Sequence, residues 1–374
     1  MEESNRNTGT VTWITYKNLG TYLQAYALQN IILSLGYNNE IISDTNVISH
    51  KSCKFFLKKL LRGAKSLFSI NKIRFYFGQR QSFRCYETFR TRFLKINNKW
   101  KTTNELNKKY DLFLCGSDQI WSPILPFDPF YYLGFSSKIK VAYAPSVGTN
   151  YYPENRKKIV KKYIEDFDFL SVRENRGKEL LGTFVEKNIS VVLDPTLLLD
   201  QVQWRRIGVE DLKQEKNILC YFLTFNRVYM DKIQHFSQTH GLPLHIIITD
   251  YRFLKYADVP LYLGPSEFIS KINSAMYVFT DSFHGTIFSI LFEKKFFTLE
   301  RFQENASNNQ NSRVHDLLDK LDLGMCLIKY GQLDVEKLQF LSINFDNVSE
   351  KLTRLRLESI NYLKKALQYE TNNM

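Results

Sequence analysis

The chain has 374 residues, 44% hydrophobic and 15% aromatic, enough to bury substantial cores and long enough to favour two domains over one. No uninterrupted apolar stretch approaches the ~20 residues that span a bilayer, and the polar N-terminus, MEESNRNTGT, does not read as a secretory signal. The net charge of +13 is local: residues 51–101 hold fifteen Lys or Arg and one acid, Glu87, which argues for a basic device and against a general nucleic-acid role.

The apolar pattern predicts a first strand over Gly9–Tyr16, a turn at Asn18-Leu19-Gly20, and a helix from about Thr21 to Leu35 with Leu23, Ala27, Leu28, Ile31 and Leu35 at helical spacing. Gly36 suits the position after that helix, and a strand resumes at Glu40–Ser43, completing a βαβ unit whose natural home is a parallel sheet. The basic insert follows, over about residues 46–105. Within it Cys53, Phe56, Leu57, Leu60, Leu61, Ala64, Leu67 and Phe68 share one helical face, and Lys54, Lys58, Lys59, Arg62 and Lys65 take the other. Such a helix either packs on its host domain or lies on a membrane surface, where each basic residue gains about 1 kcal/mol against anionic lipid.

Strand signals then recur, each ending in a small polar turn: Asp111–Cys115 before Gly116-Ser117-Asp118-Gln119, Lys140–Ala144 before Pro145-Ser146-Val147-Gly148, Phe169–Val172 before Arg173-Glu174-Asn175, and Ser190–Leu193 before Asp194-Pro195-Thr196. Turns of this kind at the carboxyl ends of strands line a common crevice. A second set begins with strands at Asn217–Thr224 and Leu244–Thr249 around a helix near Val228–Thr239, and Gly264-Pro265-Ser266-Glu267-Phe268 opens a further helix. The domain boundary is placed near 200, with one half over 1–200, a second over 201–344, and a terminal helix over 345–374 that crosses back onto the first half. The fold expected is α/β, two Rossmann-like domains facing a cleft.

The most informative turn is Asp281-Ser282-Phe283-His284-Gly285, between the apolar runs AMYVFT and TIFSILF, and it reads as strand, sharp turn and helix start. Two readings stand there. A histidine at a crevice-facing helix N-terminus could donate a proton beside a bound anion, or the segment is a capped helix with His284 satisfied in the core. The five cysteines are scattered without a C-x-x-C pair and are expected to be reduced residues of a cytoplasmic protein. No P-loop, metal cluster or Ser-His-Asp set is visible.

Taken together, six segments resemble the polysaccharide pyruvyl transferase family: Gly20 to Gln29 (GTYLQAYALQ), Gly116 to Trp121, Ser171 to Glu174, Leu193 to Thr196, Gly264 to Phe268, and Thr280 to Gly285. They run in order from about residue 10 to 325. The resemblance implies a glycosyltransferase-B-like architecture and transfer of the pyruvyl group of phosphoenolpyruvate to two hydroxyls of a sugar, forming a ketal. Many relatives carry Arg-Leu-His where this chain has Ser282-Phe283-His284, so donor binding here relies on other cations.

That chemistry needs a general acid, donors for two anions, and a base for the hydroxyls. His284 is the acid candidate, because only imidazole titrates near neutrality without large tuning. Arg173, with a planar fork, suits a carboxylate or phosphate, unless it is a structural partner of Glu174 or Asp168. Ser282, Phe283 and the backbone N–H groups of Gly285 and Thr286 are assigned to the donor, with Glu267 either there or a plain first-turn acid, and Arg313 reaching in from an Asn-rich loop. Asp118 is either a base for a sugar hydroxyl or a turn cap, and Asn18, Gly20, Thr21, Ser117 and Gln119 are assigned to the acceptor. No cofactor and no metal are expected. The acceptor implied is a hexose, galactose with a 4,6-ketal, on a polyprenyl-diphosphate lipid of capsule or exopolysaccharide assembly, met at the inner face of the plasma membrane. A nucleotide-sugar glycosyltransferase is the alternative, and a non-enzymatic basic scaffold a third reading.

Overall fold

The computed structural model describes residues 6–43, 70–209, 215–304, 306 and 309–369. The basic and apolar stripes expected between Cys53 and Phe68 lie outside these residues.

The described chain builds two parallel sheets. In the first, β1 (Asn7–Val11), β2 (Asn38–Ile42), β3 (Ile96–Asn97), β4 (Leu112–Cys115) and β5 (Ile139–Ala142) lie in the order β3-β2-β1-β4-β5. The short strands β6 (Ser171–Val172) and β7 (Ser190–Val191) pair with each other, and a bridge from Val141 to Phe169 links them to the β5 edge. In the second sheet, β8 (Ile218–Tyr221), β9 (Leu244–Ile247), β10 (Val259–Leu261), β11 (Tyr277–Thr280), β12 (Lys295–Leu299) and β13 (Leu327–Ile328) lie in the order β10-β9-β8-β11-β12-β13. Strands β4, β5, β8, β9 and β11 are buried along their whole length. Helices cover both faces of such a sheet, so its strands read as continuous apolar runs. These are the two Rossmann-like parallel sheets that the strand and turn pattern implied.

The helices are α1 (Leu19–Ser34), α2 (Ile70–Phe93), α3 (Thr103–Lys109), α4 (Glu154–Ile164), α5 (Asn175–Gly182), α6 (Gln201–Arg205), α7 (Arg227–His240), α8 (Pro265–Ser274), α9 (Phe283–Leu291), α10 (Ser312–Lys320), α11 (Lys337–Phe340) and α12 (Phe345–Gln368). Among the described residues no helix is long and apolar enough to cross a membrane. Helix α12 lies on the first half: the Tyr362 hydroxyl donates to the Ala142 carbonyl at 2.9 Å, and Arg356 Nε donates to the Leu197 carbonyl at 2.5 Å. An apolar seam joins the halves, running from Tyr26 of α1 to Trp204 of α6 (5.6 Å between ring centres) and on to Phe288 of α9 (4.9 Å).

Two differences from the sequence reading matter for function. Strand β1 ends at Val11, because Trp13 and Tyr16 pack edge to face on each other at 5.4 Å instead of continuing the ladder. Residues 12–18 are thereby released as a crevice loop. The described part of the basic stretch is not simply appended either: it ends the crossover from β2 by leading into the edge strand β3, which pairs with β2 through Ile41 with Ile96 and Ile42 with Asn97. A two-residue strand leaves no periodicity to find.

Helix α2, within that crossover, straddles both halves. Its C-terminal part packs on α1, where Tyr22 meets Tyr86 at 5.0 Å and Tyr26 meets Phe89 at 5.8 Å. Its N-terminal part covers the second sheet: Gln79 donates to the Ile248 carbonyl at 3.0 Å and Ser82 to the Leu263 carbonyl at 2.7 Å.

Candidate active site

Strand order reverses between β1 and β4 in one sheet and between β8 and β11 in the other. Ligands of open α/β sheets bind at such switch points, beyond the carboxyl ends of the strands. The turns after β4 and β11 carry Asp118 and His284, and here they face each other across the cleft.

Ser282 caps α9 and accepts the Gly285 N–H at 3.3 Å, so His284 stands in the first turn of the helix, buried. Across the cleft, Gly20 opens α1. A Cβ there would fall 1.9 Å from His284 Nδ1, so the imidazole occupies the space a side chain would need. The other ring nitrogen, Nε2, is buried without a hydrogen-bond partner and lies 3.6 Å from Asp194 Oδ2.

Asp194 is the hub. Its Oδ1 accepts the Thr196 N–H at 2.9 Å and the Thr196 hydroxyl at 2.6 Å. Its Oδ2 accepts Arg173 Nη1 at 2.7 Å and the Ser117 hydroxyl at 3.3 Å. Burial alone would raise this carboxyl, but the His284 ring and the Arg173 guanidinium outweigh it and hold Asp194 well below the usual carboxylate range. The sequence reading quoted Asp194 within a motif and gave it no role; its place in a crevice turn after a strand was the signal available.

Arg173 is buried, and only one of its three nitrogens is satisfied. Nε and Nη2 have no hydrogen-bond partner, although Glu174 Oε2 lies 3.7 Å from Nε. The expected alternative partner, Asp168, instead accepts the Lys140 N–H at 2.8 Å. The guanidinium of Arg173 sits 4.3 Å from the centre of the Phe283 ring, and that of Arg313 sits 5.8 Å from the same ring. Phe283 is thus a platform for two buried cations. Burial, and then repulsion from Arg173, bring Arg313 down to about 10. Two like charges are thus held close together, with Asp194 and Glu174 the carboxylates beside Arg173 and two of its donors unused.

Asp118, in the left-handed region at φ 67°, accepts the Thr21 hydroxyl at 2.5 Å and the Gln119 N–H at 2.8 Å. Gln119 also reaches across the cleft, its Nε2 donating to Gln310 Oε1 at 3.0 Å, and Arg313 Nη2 donates to the same oxygen at 3.2 Å. Asn18 caps α1, accepting the Thr21 N–H at 3.2 Å.

Several expected contacts do not hold. The N–H groups of Gly285 and Thr286 are already bonded to the Ser282 side chain and carbonyl, so they are not free for phosphate oxygens. Gly285 serves packing instead, since a Cβ there would meet the Thr280 hydroxyl at 2.2 Å. Glu267 accepts the Gly264 N–H at 3.1 Å and abuts Cys85 of α2, which makes it a helix cap rather than a donor contact. Ser117 is fully buried, donating to the Ala144 carbonyl at 2.7 Å, so it braces the turn and does not face a sugar.

Asp281, an alternative to Ser282 as the cap of this helix on sequence alone, does not cap it but anchors the switch point. Its carboxylate accepts the N–H groups of Leu223 at 2.6 Å and Thr224 at 2.9 Å, tying the loop after β8 to the end of β11. Burial pushes it up to about 6, against the pull of Arg301 and the two amides.

The family model described as polysaccharide pyruvyl transferase matches residues 18–301, which spans the described elements from α1 to β12 and leaves out β1, α10, β13, α11 and α12. The chain belongs to the polysaccharide pyruvyl transferase family. It is accordingly a polysaccharide-modifying transferase, and an enzyme. No curated protein matches it. Among solved structures, pyruvyl transferase family membership is accompanied by similarity to the UDP-GlcNAc 2-epimerase from Methanocaldococcus jannaschii in complex with UDP-GlcNAc and UDP, at 12% identity over 97% of this chain and 100% of that one, TM-score 0.49. A glycosyltransferase from Rickettsia africae is similar at 11% identity over 97% of each chain, TM-score 0.49. The UDP-GlcNAc 2-epimerase from Neisseria meningitidis bound to UDP-GlcNAc is similar at 12% identity over 97% and 94%, TM-score 0.45.

Proposed function

We propose that this pyruvyl transferase family member moves the pyruvyl group of phosphoenolpyruvate onto two hydroxyls of a hexose in a lipid-linked capsule or exopolysaccharide precursor. The observation that carries the reading is the pair of buried guanidiniums, Arg173 and Arg313, on Phe283 beside His284, with Arg173 Nε and Nη2 unpartnered. Phosphoenolpyruvate brings a carboxylate and a phosphate to a single carbon, and two planar forks match that charge. The pair takes over the work of the arginine that relatives carry at the position of Ser282.

His284 delivers a proton to the methylene carbon, and the adjacent carbon gains oxocarbenium character. A sugar hydroxyl adds there, losing its proton to a base, phosphate departs with the C–O bonding pair, and the second hydroxyl closes the ketal as its proton passes to the departing phosphate. Asp194, an anion 3.6 Å from His284 Nε2, orients the ring and stabilises its charged form during the transfer. Asp118 is positioned through Thr21 to take a hydroxyl proton. Acid–base groups suffice for these steps, so no cofactor enters them. The void bounded by Arg173, Asp194, Phe283 and Arg313 measures only about 20 Å³. A single water needs ~10–15 Å³ of such space, so the void holds a water but not phosphoenolpyruvate, and donor entry requires the cleft to open.

A cavity of about 200 Å³ lies beside it, lined by Lys17, Asn18, Tyr86, Tyr221 and Thr249. The Tyr221 hydroxyl meets Ser282, so this space adjoins the His284 turn and suits a single sugar ring. A nucleotide sugar fits less well: the Glu267 carboxylate that its ribose would need is bound to Gly264 beneath α2.

The test supplies purified protein with phosphoenolpyruvate and a galactosyl lipid acceptor, following phosphate release and the mass gain of pyruvylation. His284→Ala and Arg173→Ala are expected to lose at least about a hundredfold in rate. Consumption of a nucleotide sugar in place of phosphoenolpyruvate would overturn the reading.

A further inference from the structure

Helix α2 has two working faces. The inner one carries Gly78, Ser82, Cys85, Tyr86 and Phe89 against the two halves. The opposite one should be polar on a helix that only packs inward. It is not: Ile73, Tyr76 and Phe77 are 41%, 57% and 61% exposed, and Phe83 beside them is 47% exposed. These side chains alternate with exposed arginines at helical spacing, Ile73, Phe77, Arg80 and Arg84 following one another at intervals of three and four.

The cations are arranged on the rings. The Arg80 guanidinium stands 5.2 Å from the Tyr76 ring centre and 5.7 Å from that of Phe77, and Lys17 Nζ stands 4.0 Å from the Phe83 ring. The only acid of the helix, Glu87, pairs with Arg90 at 3.4 Å. The surface therefore offers apolar wedges together with positive charge that Glu87 alone, among the acids of the helix, offsets, with aromatic rings where the two meet.

We propose that this outer face of α2 docks the enzyme on an anionic lipid surface. Phe77, Ile73 and Tyr76 enter the boundary between headgroups and acyl chains, while Arg74, Arg80 and Arg84 pair with headgroup phosphates. A second copy of the chain is a poor occupant, because a two-fold interface would set this row of cations against itself. A plain polyanion would leave the exposed Ile73, Tyr76 and Phe77 side chains unburied. The inner face of the same helix lines the cavity of about 200 Å³ through Gln79, Ser82 and Tyr86. Docking therefore places that cavity one helix diameter, roughly 10 Å, from the bilayer.

The experiment is co-sedimentation of the full chain with vesicles of phosphatidylcholine alone or mixed with phosphatidylglycerol, without donor or acceptor, so its outcome is independent of the proposed reaction. Binding to the mixed vesicles is expected, with little to the neutral ones. Arg80→Gln with Arg84→Gln should weaken partitioning about thirtyfold in low salt. Ile73→Ser with Phe77→Ser should weaken it at least about tenfold, whereas polyanion binding without insertion would not respond to that pair. Both double variants should keep the circular dichroism spectrum and thermal midpoint of the parent. Equal partitioning of parent and variants, absence of binding to the mixed vesicles, or a parent dimer that the variants dissociate would each overturn the proposal.

Discussion

His284 of one half is seated directly on Gly20 of the other, with Nδ1 only 1.9 Å from where a Cβ of residue 20 would be. The imidazole and the helix start that faces it are therefore one packing unit. Gly20 opens a buried helix whose neighbours, Leu19 and Thr21, are themselves buried. It is needed for close approach of a ring across the cleft, not for an unusual backbone angle.

Gly20→Ala is the sharpest probe of that contact. The methyl group must displace the imidazole, and misplacement by about 1 Å is enough to cost roughly a hundredfold in rate. Turnover is expected to fall by about that factor, with the thermal midpoint moving only a few degrees, because each half keeps its own core. Steady-state kinetics beside calorimetry read both. An unchanged rate would mean that His284 is not used where it stands.

Arg313→Gln separates binding from stability. Burial, and then repulsion from Arg173, act against the charge of Arg313 and outweigh the pull of Glu174 and Asp118, so the free protein should be no less stable without that charge. Donor binding should suffer instead, with KM for phosphoenolpyruvate raised about thirtyfold, the equivalent of ~2 kcal/mol for a charge-assisted contact. The thermal shift on adding the donor should shrink correspondingly. A variant with the parent KM would remove Arg313 from the donor site.

Two aspartates give opposite pH signatures. Asp194 is depressed, so its contribution is present above the unfolded carboxylate range and is lost as the pH falls. Asp281 is raised from 3.8 to about 6, so the folded state holds its proton more tightly than the unfolded chain. Its favourable contribution is complete below about pH 4 and disappears as the pH rises through about 6. The difference of about two pKa units corresponds to roughly 3 kcal/mol. Urea denaturation of parent and Asp281→Asn between pH 4 and 7 should show the parent losing stability relative to the variant by about that amount. A flat difference across this range would refute the assignment.

Much of this was readable from local pattern. The runs DLFLC, KVAYA and NILCYFLT became buried strands, and the Ser282 turn capped a helix with His284 in its first turn, because burial on both faces and capping chemistry leave marks within a few residues. The hub at Asp194 was less legible. Its partners lie 21 residues away in Arg173, 77 in Ser117 and farther still in His284, and no local pattern records such pairings. The donor roles given to Glu267, Gly285 and Thr286 failed for a related reason: a carboxylate or an N–H near a helix start is used first by its own helix.

The sequence by itself determined the kinds of element, their order, and the chemistry presented at each crevice turn, since these follow from periodicity and from short-range hydrogen bonding. Only the tertiary structure decided which turns meet. Strand order brings the β4 and β11 ends to the two switch points, the seam from Tyr26 through Trp204 to Phe288 presses the halves together, and α2 is laid across them. Those outcomes depend on burying apolar surface between distant segments, a free energy that belongs to no single stretch of chain.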